Sequence, residues 1–171
     1  MNDERDYLAE IEEMIAQKRK KAKRITIKPE PKPKISKKES TELGKKIYEE
    51  LKNSNYDILL IREMLMLGAD VNYRGVMEHS FLHASVILND VNLLKLFIKH
   101  GGDVNAKAMG GISLVHLMVF VNPDSELLSV LIENGLDINI KDETGNTAMF
   151  WAVKLENTKM IELIKCFGGK L

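Results

Sequence analysis

Few side chains in this sequence are equipped to do chemistry. Four histidines (His79, His83, His100, His116) and one cysteine, Cys166, are the candidate metal ligands and nucleophiles. His79 and His83 stand four apart, the step that brings two imidazoles to one side of a helix. Ser80, however, reads as the cap of the helix that holds His83. His79 therefore precedes that helix and does not share its face. No cysteine cluster accompanies the histidines, which argues against zinc. Cys166 has no second cysteine with which to form an internal disulfide. No nucleophile motif, phosphate-cradling glycine loop or nucleotide fingerprint is present. The aspartate and glycine neighbourhoods belong to an internal repeat and do not form a calcium loop. The sequence predicts no catalytic residue, no metal, no cofactor and no enzymatic activity.

The elements that carry these residues repeat. Gly68-Ala69-Asp70-Val71-Asn72 recurs as Gly101-Gly102-Asp103-Val104-Asn105 and again as Gly135-Leu136-Asp137-Ile138-Asn139. A second string keeps the step: Ser80-Phe81-Leu82-His83, Ser113-Leu114-Val115-His116, Thr147-Ala148-Met149-Phe150. Ser80, Ser113 and Thr147 are predicted to cap a short first helix. That helix has inward residues Leu82, Ser85 and Val86, then Val115, Met118 and Val119, then Met149, Ala152 and Val153. Turns follow at Asn89-Asp90, Asn122-Pro123 and Glu156-Asn157. A second helix then shows apolar residues at i, i+3, i+4: Leu94, Phe97, Ile98; Leu128, Leu131, Ile132; Ile161, Ile164. Gly68, Gly101, Gly135 and Gly168 fall where a left-handed residue ends that helix. Upstream, Leu43, Ile47, Tyr48 and Leu51 predict a helix with Ser40 or Thr41 as its cap. Ile58, Ile61, Met64 and Leu65 predict its partner.

This pattern resembles the ankyrin repeat, whose period is about 33 residues with a T-P-L-H-x-A signature. The proline position is occupied here by Phe81, Leu114 and Ala148, and the third histidine position by Phe150. The resemblance implies an all-α helical repeat solenoid with short loops or hairpins. It places a capping pair at 40–69 and repeats at 70–102, 103–136 and 137–169, together an ankyrin repeat domain at 40–171. It also implies that His83 and His116 tie loops together rather than act chemically.

Ahead of the repeats the chain changes character. Residues 1–17 carry a net charge of −5, residues 18–38 carry +10 and the remainder −5, so an overall charge of zero hides a basic arm on an acidic body. Residues 1–24 read as an amphipathic, C-terminally basic helix. Tyr7, Leu8, Ile11, Met14 and Ile15 form its apolar stripe, and Lys18, Arg19, Lys20, Lys21, Lys23 and Arg24 its basic end. Residues 25–39, with Pro29, Pro31 and Pro33 among charges, read as an extended Pro/Lys-rich linker. The stripe needs a cover, and a partner, a second copy or the chain's own repeats all remain open. The basic 18–38 segment suits an acidic protein surface or a nucleic acid, although only Tyr7 offers an aromatic ring nearby. No apolar run is long enough to span a membrane. The polar start and single cysteine fit a cytoplasmic protein, or one delivered into a host cell.

In ankyrin proteins the first helices and loop tips line a concave surface where partners dock. The resemblance places Ala84, Ile87 and Leu88, then Leu117, Phe120 and Val121, then Trp151, Lys154 and Leu155 on that surface. Tyr73, Val76, Met77, Met109 and Ile112 belong to the loop tips. Seven of the nine helix positions are apolar and larger than alanine, where family members commonly carry polar residues. A contiguous apolar patch of this kind marks an interaction site. The predicted contact set is Tyr73, Val76, Met77, Ile87, Met109, Leu117, Phe120, Val121 and Trp151. The expected function is that of a non-enzymatic, stoichiometric protein binder, an inhibitor of the immunity, anti-defence or host-directed kind. A nucleic-acid-associated adaptor using the basic arm and a self-associating scaffold are the alternatives.

Overall fold

The computed structural model describes residues 35–171, and among these it is helical with no extended strand. Eight α-helices follow one another as four antiparallel pairs. They are α1 (Lys37–Glu50) with α2 (Ile58–Met66), α3 (Phe81–Ile87) with α4 (Val91–Lys99), α5 (Leu114–Val121) with α6 (Ser125–Glu133), and α7 (Ala148–Lys154) with α8 (Thr158–Cys166). The first helices α3, α5 and α7 pack side by side, and α4 packs on α6. One core runs through the stack, from Ile47 and Ile61 through Phe81, Phe97, Met118 and Leu128 to Ala152 and Ile164.

Most of these helices start where a short polar side chain satisfies a free N–H group. Asp57 caps α2, Asp90 caps α4 and Asn157 caps α8. Ser80 and Thr147 accept from the backbone N–H three residues on, as their place in the repeat requires. Helix α1 begins earlier than the sequence reading gave. Ser36, not Ser40 or Thr41, is its cap, in a reciprocal box with Glu39: Glu39 N–H donates to Ser36 Oγ at 3.2 Å, and Ser36 N–H donates back to Glu39 Oε2 at 2.8 Å. Residues 37–39 are therefore helix rather than extended linker. The Ser-x-x-Glu spacing outweighs the lysines around it. The Ser40 hydroxyl instead donates to Gly68 O at 2.7 Å, fastening α1 to the end of α2. Gly68, Gly101, Gly135 and Gly168 all take positive φ (79° to 97°) just past their helices, a conformation that side chains with a Cβ resist.

The period is written most regularly in an asparagine ladder. Asn72 donates to Gly101 O and accepts from Asp103 N–H. Asn105 does the same with Gly135 O and Asp137 N–H, and Asn139 with Gly168 O and Lys170 N–H. Each asparagine thus meets one free carbonyl at a helix end and one free N–H in the next loop. This is why the Gly-x-Asp-x-Asn string returns every repeat.

Candidate functional site

The first helices and the loops ahead of them form the face on which most of the predicted contact residues lie. The loops are tied to one another before any partner arrives. Arg74 Nη1 donates to Glu78 O within its own loop and to Lys107 O in the next, and Lys107 Nζ donates to Lys141 O in the one after. Buried histidines hold the loops from beneath. Ser80 N–H and its hydroxyl donate to His83 Nδ1, leaving Nε2–H to donate to Ile112 O at 3.2 Å; His116 repeats this with Ser113 and Asn146 O. A carbonyl can only accept, so the proton sits on Nε2 and the ring is neutral. Burial is the main cause that pushes His83 down to about 4, aided by nearby His79 and Arg74. Burial likewise lowers His116 and His79. His83 and His116 are structural histidines. The His79 and His83 rings stack flat at 5.3 Å, which leaves no shared apex for an ion. Among the described residues, no three His, Cys, Asp or Glu side chains cluster to hold a metal.

Among the described residues no further loop packs beneath the repeat of α7 and α8, and its histidine position is Phe150. Thr147 takes over by donating its hydroxyl to Lys170 O at 2.8 Å. Phe150 is then free to turn its ring outward against Trp151, edge to face at 5.6 Å. Val153 is similarly 46% exposed, although its equivalents Val86 and Val119 are buried. The sequence reading placed Val153 inward, but among the described residues α5 is the one first helix packed on α7, and Val153 is left uncovered.

Of the predicted contact residues, Val76, Met77 and Met109 are exposed at the loop tips, and Ile87 and Val121 are exposed on α3 and α5. Phe120 is 51% exposed, with its ring 6.1 Å from that of Trp151. Two placements need correction. Leu117 is only 9% exposed and belongs to the core, because α5 is flanked on both sides, by α3 and α7. Tyr73 is half-buried and not at a tip. Its ring sits 6.1 Å from Tyr48 and 6.3 Å from Phe81, sealing the joint between α1 and α3. The arm residues Tyr7, Leu8, Ile11, Met14, Ile15, Lys18, Arg19, Lys20, Lys21, Lys23 and Arg24 lie outside the described residues.

Two features of this face escaped the sequence reading. The first is Asp142, buried beneath Trp151. It accepts from Trp151 Nε1 and Thr144 Oγ1, both at 2.7 Å, and from the N–H groups of Thr144 and Asn146, both at 2.9 Å. Burial works to raise its pKa, yet these bonds outweigh burial and hold the carboxyl at about 2. They also fix the indole, over which Lys154 Nζ lies at 4.8 Å. The second is the tip of the first loop. Met77 (φ 56°) and Glu78 (φ 60°) are left-handed where the second loop has Gly110 and Gly111. The only sequence signal for this was the missing glycine pair, one period back from Gly110-Gly111.

The family profile described as "Ankyrin repeats (many copies)" matches residues 114–164, the span from the start of α5 into α8. Together with the 33-residue ladder of histidine, asparagine and glycine contacts, this decides the family. The stack is built of ankyrin repeats. The NF-kappa-B p105 subunit of Gallus gallus is 30% identical over 105 residues, which are 59% of this chain and 11% of that protein. A putative ankyrin repeat protein of Borreliella burgdorferi is 30% identical over 87 residues, 51% of this chain and 38% of that one. A putative ankyrin repeat protein of fowlpox virus is 31% identical over 107 residues, 63% of this chain and 25% of that one. The chain thus spans well under half the length of these relatives. Ankyrin repeats are protein-interaction modules, and the first-helix face of this one exposes Ile87, Phe120, Val121 and Phe150. No helix among the described residues is long and apolar enough to cross a membrane.

Proposed function

We propose that the chain binds one protein partner stoichiometrically through its first-helix face and acts by covering the surface it grips, as an inhibitor of the immunity, anti-defence or host-directed kind. The observation that carries this reading is the apolar surface made by Ile87, Phe120 and Val121 beside the Phe150–Trp151 ring pair, with Val76, Met77 and Met109 at the tips of the adjoining loops. Such surface is unfavourable in water unless a partner covers it. The scaffold beneath is already fixed by the histidine and lysine ties between loops, so little ordering is left to oppose association. The aromatic residues supply anchors of the type that dominates binding energy. The single buried carboxylate beside them, Asp142, has both oxygens engaged by four donors. Its hydrogen bond from the indole N–H positions Trp151.

The test is capture of partners under native conditions by the full chain, with Phe120→Asp and Lys165→Asp variants alongside. Phe120→Asp is expected to reduce recovery of the specific partner by more than about tenfold. Lys165→Asp, on the exposed side of α8, should leave it unchanged. Equal recovery with all three chains counts against this face.

A further inference from the structure

The first helices α3, α5 and α7 pack side by side, so equivalent positions form rows across the binding face. One row reads Leu88, Val121 and Leu155, all apolar and all exposed. A neighbouring row reads Ile87, Phe120 and Lys154. Ile87 and Phe120 are 48% and 51% exposed, and the third place in the series is held by an exposed cation. Apart from the neutral, buried His83 and His116, Lys154 is the one ionisable residue of α3, α5 and α7.

The ammonium has a defined place among the aromatic rings. Residues 150, 151 and 154 share one side of α7. Lys154 Nζ lies 4.8 Å from the centre of the Trp151 ring and 5.9 Å from that of Phe150. The indole is itself fixed by Asp142, and the Phe120 ring stands 6.1 Å from it. Among the described residues, Lys154 makes no ion pair, and none of its three ammonium N–H groups meets an acceptor. Asp142, the carboxylate beneath the same indole, is occupied by its four donors. Glu143 and Glu156 are exposed and do not pair with Lys154.

This placement constrains what can cover the face. A partner seated on Phe120, Phe150 and Trp151 also strips water from the ammonium beside the indole. The ring faces compensate that cation only in part. An ammonium buried without a counter-charge is unfavourable. A carboxylate supplies the charge and the acceptors in one group. A purely apolar surface supplies neither. Packed helices stand about 8–10 Å apart, so the row offers two apolar seats and one anion seat at that step. A segment in the polyproline II conformation advances about 9 Å in three residues. Its residues i, i+3 and i+6 therefore meet Ile87, Phe120 and Lys154 in turn.

We propose that the partner presents an acidic, apolar segment to this face, with apolar side chains on Ile87 and Phe120 and an aspartate or glutamate on Lys154. This rests on the reading of the first-helix face as the partner-binding surface and adds the chemistry of what is bound. Lys154 is then the residue that sorts apolar partners by charge.

The probe is a phage-displayed library of random peptides, each about fifteen residues and so long enough to cross all three first helices when extended. It is selected on the full chain and, in parallel, on F120D and K154E chains. Both residues are exposed, and unchanged helicity of each variant confirms that folding is intact. On the wild-type chain, peptides with Asp or Glu about three residues from a pair of apolar side chains are expected to be enriched severalfold. Synthetic copies of these peptides should bind K154E more than about tenfold more weakly, and should regain affinity for K154E when their acid is replaced by lysine. Peptides that lose binding to F120D yet show no excess of acid, or that bind K154E as tightly as wild type, overturn the inference and leave the binding face standing. Peptides that bind F120D as tightly as wild type, or no enrichment at all, remove the face itself and the inference with it.

Discussion

The stability of the stack should fall as pH drops from neutrality to about 4, because His83 is held neutral. Its ring is fully buried, with Nδ1 accepting from Ser80 and Nε2–H donating to Ile112 O. Charging it would break the first arrangement, and burial brings its pKa to about 4 against an ordinary 6.5. The unfolded chain therefore takes up a proton near pH 6.5 that the folded chain refuses until about pH 4. The stability contributed is complete above 6.5 and is lost progressively as pH falls toward 4. From pH 7.5 to pH 5 the loss attributable to His83 is about 2 kcal/mol. With a urea dependence of about 2 kcal/mol per molar, this moves the unfolding midpoint by about 1 M. The single tryptophan, Trp151, reports unfolding by fluorescence. His83→Gln keeps a donor for Ile112 O but does not titrate, so its midpoint should lack that 1 M component while retaining the shift from His116. If wild type and His83→Gln lose the same stability between pH 7.5 and 5, the linkage is wrong.

Three further outcomes follow from the geometry. Asp142→Asn should lower stability at pH 7 by about 1–2 kcal/mol, allowing for partial solvent screening, and shift the Trp151 emission. Because the carboxyl sits at about 2 when folded, the difference between variant and wild type should shrink as pH falls from about 4 toward 2 in acid unfolding. Glu78→Gly should stabilise the fold by about 1 kcal/mol by relieving a left-handed side chain, read from thermal unfolding. Gly111→Ala, by contrast, should cost more than about 2 kcal/mol in the same assay. Its φ is +73°, and an added Cβ would lie 2.6 Å from Glu143 N.

Much of this architecture is legible in the sequence because the same physical problem recurs every 33 residues. Each turn needs a left-handed glycine, each first helix a hydroxyl cap, and each second helix an apolar stripe, so the letters return with the period. What the sequence hid depends on neighbours rather than on position within a repeat. Leu117 and Trp151 occupy the same place in successive first helices. Leu117 is buried because α5 has a helix on both sides, whereas Trp151 keeps part of its surface on α7, which has one. Val153, exposed where Val86 and Val119 are buried, shows the same effect. The start of α1 was missed because the lysines around Ser36 suggested a solvated linker. Asp142 gave no signal, since its donors Thr144, Asn146 and Trp151 converge only once the third loop has closed over α7.

The claim that this stack works by gripping a protein with its first-helix face is tested most directly by hydrogen exchange on the full chain with and without its captured partner. Partner binding is expected to slow exchange in 76–78, 109–112 and the backbone of α3, α5 and α7, and to leave α4, α6 and α8 unchanged. Protection confined to the second helices, with the first-helix face exchanging as it does in the free chain, would contradict it.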